Sequence, residues 1–314
     1  MMNSSFRSFL AAIFAVTSIA LQADTLDLLL PKPVKVEQLA GSATAAACAN
    51  VKVVKGAVPG APSAVAAEAY VLEVSKNGVT VTASDSRGER YARTTLDQLL
   101  KLGDGSVPCC RIIDWPAFRW RGFMNDCGRN YLEMEGVKAI LDVMALYKMN
   151  LFHWHLTDYH GWRLESKKYP CLQRPEAFLR QKGKYYTQEQ FKEVVAYAAE
   201  RGITVMPELD VPGHTLSLRL GLNIGTMREP GTQLVISDLF EELCSLAPAD
   251  VMPFIHLGTD EVRVYPEYCD TSWVTLWAKV VNRCGRKAVV WAPGMKIEKG
   301  CDVIDMAWYD EYVT

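Results

Sequence analysis

The stretch that decides the fold is Arg121–Asp158, RGFMNDCGRNYLEMEGVKAILDVMALYKMNLFHWHLTD. Its first piece, RGFMND, is a short run ending in an acid and predicts a strand. EGVKAILDVMALYK carries Val137, Ile140, Leu141 and Met144 at helical spacing, which predicts a helix with one apolar face. NLFHWHL returns to a strand-like run. Strand, helix and strand in that order form the unit of a parallel sheet, because the helix carries the chain back to the end where the first strand began.

The unit repeats downstream. Thr187 and Gln190 are spaced as a capping box, with Phe191, Val194, Val195 and Ala198 on one face and Gly202 as the stop. ITVMPELD reads as a strand, SDLFEELCSLA as a helix and PFIHLG as a strand. TSWVTLWAKVVNRCG reads as a helix, and AVVWA and DVIDMAW as the last two strands. Six strands alternating with helices predict an α/β fold, a TIM-type (β/α)8 barrel over residues 115–314. A full barrel has eight strands. The barrel is therefore expected to be incomplete, and the chain truncated relative to it.

Residues 24–114 predict a smaller α/β domain, an α+β sandwich. Val51–Lys55 is strand-like, and AYVLEVSKNGVTVTAS alternates on both sides of Asn77-Gly78, a strong hairpin signal. TTLDQLLKLG predicts a short helix ending at Gly103, and Pro108–Pro116 mark the boundary. Ahead of this, Arg7 precedes FLAAIFAVTSIAL and then LQA. That is the pattern of a signal peptide over 1–23, with an apolar run too short to span a bilayer, and it predicts a secreted or periplasmic protein.

The 314 residues are 49% hydrophobic and 22% charged, with a formal charge of −2. This balance offers no electrostatic footprint for nucleic acid or an anionic membrane. Eight Trp and thirteen Tyr suit an uncharged ligand. Nine Cys without a CxxC describe neither a zinc knuckle nor a dense disulfide framework. One or two bridges stay open, unpaired by the sequence, and most of these residues read as buried thiols.

Barrel chemistry sits at the C-terminal ends of the strands, where the loops converge. The predicted strands end at Asp126 and Arg129; His155 and Asp158; Glu208, Asp210 and His214; Asp260 and Glu261; Trp291; and Trp308. Each has a bland explanation alone: an Asp after a strand caps a helix, a Trp fills a core, and His256 reads as a satisfied core histidine. Charge or His ending four consecutive strands is the pattern of an active site. His153 and His155 share one strand face, which raises a metal-dependent hydrolase as an alternative. That chemistry needs further His and a terminal Asp, and Trp stands at the ends of strands five and six.

At these residues the chain resembles glycoside hydrolase family 20, the β-N-acetylhexosaminidases. The resemblance lies in DWPAFRWRGFMNDCGRNY, ALYKMNLFHWHLTDYHGWRLESKKYP, ITVMPELDVPGH and IHLGTDEV, in the family's order. It implies retaining, exo-acting hydrolysis of terminal N-acetylglucosamine or N-acetylgalactosamine from glycans. The substrate's own 2-acetamido oxygen is then the nucleophile, so no enzyme carboxylate is needed opposite the acid. By resemblance Glu261 is the general acid and later the base, and Asp260 orients the acetamido group. One of two adjacent acids must keep its proton while the other is ionised, and one charge disfavours the second.

Asp158 and His214 resemble the pair that supports the acid. Arg129, Trp291, Trp308 and His155 fall to the sugar pocket. No cofactor and no metal are implied; the partner is the glycan, and the oligomeric state is left open. Two positions depart from the family: Tyr159 where a second Asp is usual, and Thr259 where Gly is usual. The Tyr and Trp that the family carries on strands seven and eight have no place in the sequence. A glycan-binding remnant without turnover is therefore the second reading.

Overall fold

The computed structural model describes residues 25–262, 271–293, 295 and 297–308. The signal peptide expected over 1–23 lies outside the described residues. The chain divides into two compact units, one of residues 1–121 with 146–148, the other of 122–145 with 149–314.

The first unit is built on a five-stranded sheet, β1 (Lys35–Thr44), β2 (Val51–Lys55), β3 (Tyr70–Ser75), β4 (Gly78–Ala83) and β5 (Ser106–Asp114), in the order β1-β5-β3-β4-β2. A single helical turn, α1 (Ala45–Cys48), follows β1. The expected hairpin is β3–β4, but its pairing closes at Ser75 opposite Gly78, so the turn is Lys76–Asn77. Gly78 instead opens β4 where Asn50 passes close: a Cβ there would lie 3.0 Å from the Asn50 carbonyl oxygen.

Val79, Val81 and Ala83 alternate into a core shared with Tyr91, Ala92, Leu96 and Leu99 of α2 (Ser86–Leu102). This helix begins well before the TTLDQLL run, because Asp85 caps it by accepting the Arg87 N–H. Two strands are absent from the sequence reading. β1 is exposed over almost its whole length, so it carries no alternation to detect. β5 runs through Pro108, which looked like a boundary. Pro108 faces Ser42 beside a register shift between Gln38 and Ser42, the irregular position where a strand tolerates a missing N–H.

The second unit contains the parallel sheet. Its strands are β6 (Gly122–Asp126), β7 (Leu151–His155), β10 (Thr204–Glu208), β11 (Phe254–His256), β12 (Lys287–Ala292) and β13 (Val303–Ala307), hydrogen-bonded in that order and all parallel. Among the described residues these are the six strands read from the sequence, a parallel (β/α) arrangement short of the eight strands of a full barrel. The crossovers are α3 (Met134–Leu146), α4 (Gln188–Glu200), α5 (Leu216–Leu222), α6 (Thr232–Ser245) and α7 (Thr271–Arg283), with a two-residue ribbon, β8 (Thr157–Asp158) and β9 (Gly161–Trp162), after β7. The expected capping box opens α4: Thr187 Oγ1 accepts the Gln190 N–H at 3.1 Å, and Gln190 Oε1 accepts the Thr187 N–H at 2.9 Å.

Pleating divides the strand side chains between two faces. Phe152, Trp154, Val205, Ile255, Ala288 and Val290 pack under the helices with Leu141, Phe191, Phe240 and Trp277. Truncating Phe152 or Trp277, both fully buried, should cost about 3–5 kcal/mol through lost transfer energy plus a cavity. On the other face Leu151, Met206 and Val289 form a small apolar floor. Above it the parallel register aligns polar residues that are far apart in sequence: Asp126 opposite His155, His155 opposite Glu208, and Glu208 opposite His256.

Candidate active site

Glu208 ends β10 with no solvent exposure. An isolated carboxylate there would be very costly, and four side chains prevent that. Its Oε2 lies 2.8 Å from His153 Nε2 and 2.6 Å from His155 Nδ1. Its Oε1 accepts the Trp291 Nε1–H at 2.9 Å and lies 3.1 Å from His256 Nδ1. The rings of His153 and His256 stack at 4.6 Å, with Trp291 against both. Burial works against the Glu208 charge, yet the histidines hold its carboxyl well below the usual range. His256 is itself pushed down by burial; it lies in the core, but its Nε2 has no hydrogen-bond partner among the described residues, so it is not the satisfied ring its sequence context suggested.

His155 connects this centre to the next. Its Nε2 lies 3.2 Å from Asp158 Oδ2 while its Nδ1 holds Glu208. Burial disfavours its charge, but Glu208 and Asp158 raise its pKa well above the ordinary value. Almost wholly buried, His155 is an imidazolium held between two carboxylates.

Asp158 follows β7 and is buried as well. Besides His155, its Oδ2 meets Arg129 Nη2 at 2.9 Å and His214 Nδ1 at 3.3 Å. Burial alone would raise its pKa; His155, His214 and Arg129 together hold it far below the ordinary carboxylate value. On its far side, His214 Nε2 lies 3.3 Å from Glu261 Oε2 and 3.5 Å from Asp260 Oδ2. Burial would lower the His214 pKa, but Asp158 and Asp260 overcome it and push it up to about 10. The imidazole is thus a cation between one buried carboxylate and the adjacent pair.

The remaining carboxyl, Asp210, is 1% exposed. Its Oδ1 accepts the Thr259 N–H at 3.3 Å, and its own N–H donates to Thr157 Oγ1 at 2.9 Å. Burial first, then the charges of Asp260 and Glu208, raise its pKa well above the ordinary value. Asp260 is lowered: burial opposes its charge, and His214 and a hydrogen bond with Asp210 stabilise it. A proton therefore resides on Asp210 and an anion on Asp260, the division expected of crowded carboxyls.

The backbone carrying the acids is unusual. His214, Thr259 and Glu261 have φ values of 47°, 80° and 55°, a region that non-glycine residues enter at a cost of about 1–3 kcal/mol. Gly258, with φ 76°, has no alternative, since a Cβ there would lie 1.8 Å from Asp210 Oδ1. The turn throws Glu261 outward, so its side chain is 59% exposed while that of Asp260 is 15% exposed. Glu261, His214, Tyr159 and Arg219 line a cavity of about 50 Å³.

Of the other site residues named from the sequence, Arg129 is clamped in place. Its Nη1 donates to Asp126 Oδ2 at 2.6 Å, and its backbone N–H to Asp126 Oδ1 at 2.8 Å. Trp291 lies at the centre through Glu208, beside a larger cavity of about 440 Å³ that Asp305 also lines. Trp308, after β13, is 40% exposed, and its backbone N–H donates to the Ala292 carbonyl at 3.3 Å. Sequence reasoning named Glu208 and Asp210 as strand ends without giving either a role. The signal was present in PELD, an acid ending an apolar strand, but only the register aims three histidines at it.

Among the described residues, four groups of His, Asp and Glu have ligand atoms close enough to share a cation, including His153–Glu208–His256 and Asp158–Asp210–His214. In the first group His153 bonds to Glu208 directly at 2.8 Å, a hydrogen-bond separation. His153 Nδ1 and His256 Nε2, by contrast, are buried without a hydrogen-bond partner among the described residues.

Comparison with known proteins adds a family to this geometry. Residues 118–228 match the profile described as glycosyl hydrolase family 20, catalytic domain, and residues 55–115 match domain 2 of the same family. Arg129, His155, Asp158 and His214 lie within the first match; Asp260 and Glu261 lie beyond it. A β-hexosaminidase of Vibrio furnissii is 38% identical over 231 residues, covering 62% of this chain and 37% of that protein. A β-N-acetylhexosaminidase of Cellulomonas fimi is 34% identical over 250 residues, covering 71% and 50%. A family 20 exo-β-N-acetylglucosaminidase of Vibrio harveyi, solved with N-acetylglucosamine, superimposes with a TM-score of 0.77 at 28% identity, covering 90% of this chain and 57% of that one. The chain thus spans half or less of the length of these two curated relatives.

Proposed function

The chain belongs to glycoside hydrolase family 20, and on that premise we propose that it is a retaining exo-β-N-acetylhexosaminidase acting on terminal β-linked N-acetylhexosamine. The observation that carries this reading is the placement of His214, 3.3 Å from both Asp158 and Glu261 and 3.5 Å from Asp260. Two adjacent acids cannot face each other across a scissile bond, a geometry that needs roughly 5–10 Å between carboxyls. They can divide the work if the sugar supplies its own nucleophile.

In the first step the acetamido carbonyl oxygen attacks the anomeric carbon and forms an oxazolinium ring. Glu261 gives its proton to the departing oxygen. Asp260, ionised and only partly exposed, accepts the acetamido N–H and balances the positive charge that grows on that group. In the second step Glu261 takes a proton from water as the water opens the ring, so configuration is retained. His214, held cationic by Asp158, faces Glu261 and stabilises the carboxylate that remains after proton transfer. Arg129, fixed by Asp126 and Asp158, offers a rigid fork of donors to sugar hydroxyls, and Trp291 and Trp308 offer apolar faces to the ring.

The test is release of p-nitrophenol from its β-N-acetylglucosaminide, with the matching β-glucoside as control. Hydrolysis of the acetamido sugar alone, with the β-anomer as first product and a loss on the order of 10²-fold or more in Glu261→Gln, is the expected result. Wild-type rates in Glu261→Gln would refute the assignment. Tight binding of the GlcNAc-thiazoline without turnover would identify a sugar-binding barrel instead. The leader-like run over 1–23 supports export; a mature N-terminus near Asp24 in a secreted or periplasmic fraction checks it.

A further inference from the structure

Cys244 lies in the last turn of α6, and Cys284 directly follows α7. The two helices pack side by side, and one buried guanidinium holds their ends together. Arg286 Nη1 donates to the Cys284 carbonyl at 2.8 Å, and its Nη2 donates to the Cys244 carbonyl at 2.7 Å and to the Ala247 carbonyl. Its Nε donates to the Met252 carbonyl at 3.1 Å. A guanidinium is planar and rigid, so these bonds fix the two cysteine backbones beside each other. The thiols are near enough for Cys284 to help raise the Cys244 pKa.

We propose that Cys244 and Cys284 are a disulfide-forming pair that staples α6 to α7. The staple would close a loop containing β11, the Asp260–Glu261 turn and α7, and so restrain the segment that carries both candidate acids. Among the described residues both cysteines are free thiols, Cys244 buried and Cys284 half-buried.

That difference sets the order of reaction. Burial, with Cys284 beside it, pushes the Cys244 thiol up to about 12, so it is the slower nucleophile. Cys284, the more accessible sulfur, attacks an incoming disulfide oxidant as its thiolate. One thiol of the oxidant departs, leaving a mixed disulfide on Cys284. Cys244 then loses its proton and attacks the Cys284 sulfur, releasing the second thiol of the oxidant. Two protein thiols give up two electrons and two protons, and the oxidant disulfide becomes two thiols. The Arg286 guanidinium beside Cys244 favours the thiolate in the last step.

The experiment is to equilibrate the full chain with oxidised glutathione, block remaining thiols by alkylation in denaturant, and map peptides without reduction. A cross-linked peptide pair containing Cys244 and Cys284, lighter by two hydrogens and absent from Cys284→Ser, is expected. Melting should support it: reduction of the wild type, or Cys284→Ser, lowers Tm by about 5 °C relative to the oxidised protein. The reduced wild type reads the same quantity without any substitution. Full alkylation of both residues after oxidation, or either one bridged to a different cysteine, would overturn the proposal.

Discussion

Asp158 Oδ2 stands 3.3 Å from His214 Nδ1, with the Asp side chain wholly shielded from solvent and the ring almost so. A buried carboxylate that close to an imidazole fixes the ring and its charge together. Because the other nitrogen of the ring faces Asp260 and Glu261, whatever happens to Asp158 is felt at the pair.

Asp158→Asn should therefore keep the shape and lose the charge. The His214 pKa, now about 10, should fall towards its ordinary value, visible by following the ring resonances of His214 through a pH titration. Turnover of the acetamido substrate should drop on the order of 10²-fold or more, with a smaller change in KM. An unchanged His214 titration would contradict the assigned contact.

Stability should follow the same two groups. The His214 pKa is raised on folding, so its contribution is fully present below about pH 6.5 and is lost as pH climbs through about 10. The Asp158 pKa is lowered, so its contribution is present above about pH 4 and disappears as pH falls towards the folded value. Denaturant melts of wild type and Asp158→Asn should differ most between about pH 4 and 6.5, and the difference should shrink by pH 10.

Glu208→Gln removes the one anion around which His153, His155, His256 and Trp291 are arranged. Breaking a buried charge pair on one side costs about 3–5 kcal/mol. Urea unfolding should register a loss of that size, and Trp291→Phe, which deletes a single donor, should lose about 1–3 kcal/mol.

The turn before the acids makes a paired prediction. Gly258→Ala forces a Cβ to within 1.8 Å of Asp210 Oδ1 at φ 76°, so Tm and activity should both fall. Thr259→Gly acts the other way. Thr259 is fully buried at φ 80°, and its hydroxyl has no hydrogen-bond partner among the described residues. Replacing it should raise Tm by about 1–2 °C, the response to roughly 1 kcal/mol in a chain of 314 residues.

Much of this was legible before folding. Val137, Leu141 and Met144 repeat at helical spacing because α3 buries one face, and β7 is buried at all five positions, with His153 and His155 marking the face that carries the site. The family motifs named the residues that meet at Asp158. β1 and β5 were not legible for opposite reasons: one is too exposed to alternate, and the other hides behind a proline that a bulge accommodates.

The sequence by itself determined the alternating strands and helices, the parallel sheet and the strand-end positions where charge collects, since these depend on local periodicity and on where loops must fall. Only the tertiary structure decided which of those residues act together. Parallel register sets Glu208 level with His155 and His256, although they are far apart in the chain. It is also burial, a property of the packed molecule, that leaves Asp210 protonated while Asp260 beside it stays ionised. Two chemically identical side chains differ there because the cost of a charge depends on its surroundings, and those exist only once the strands have come together.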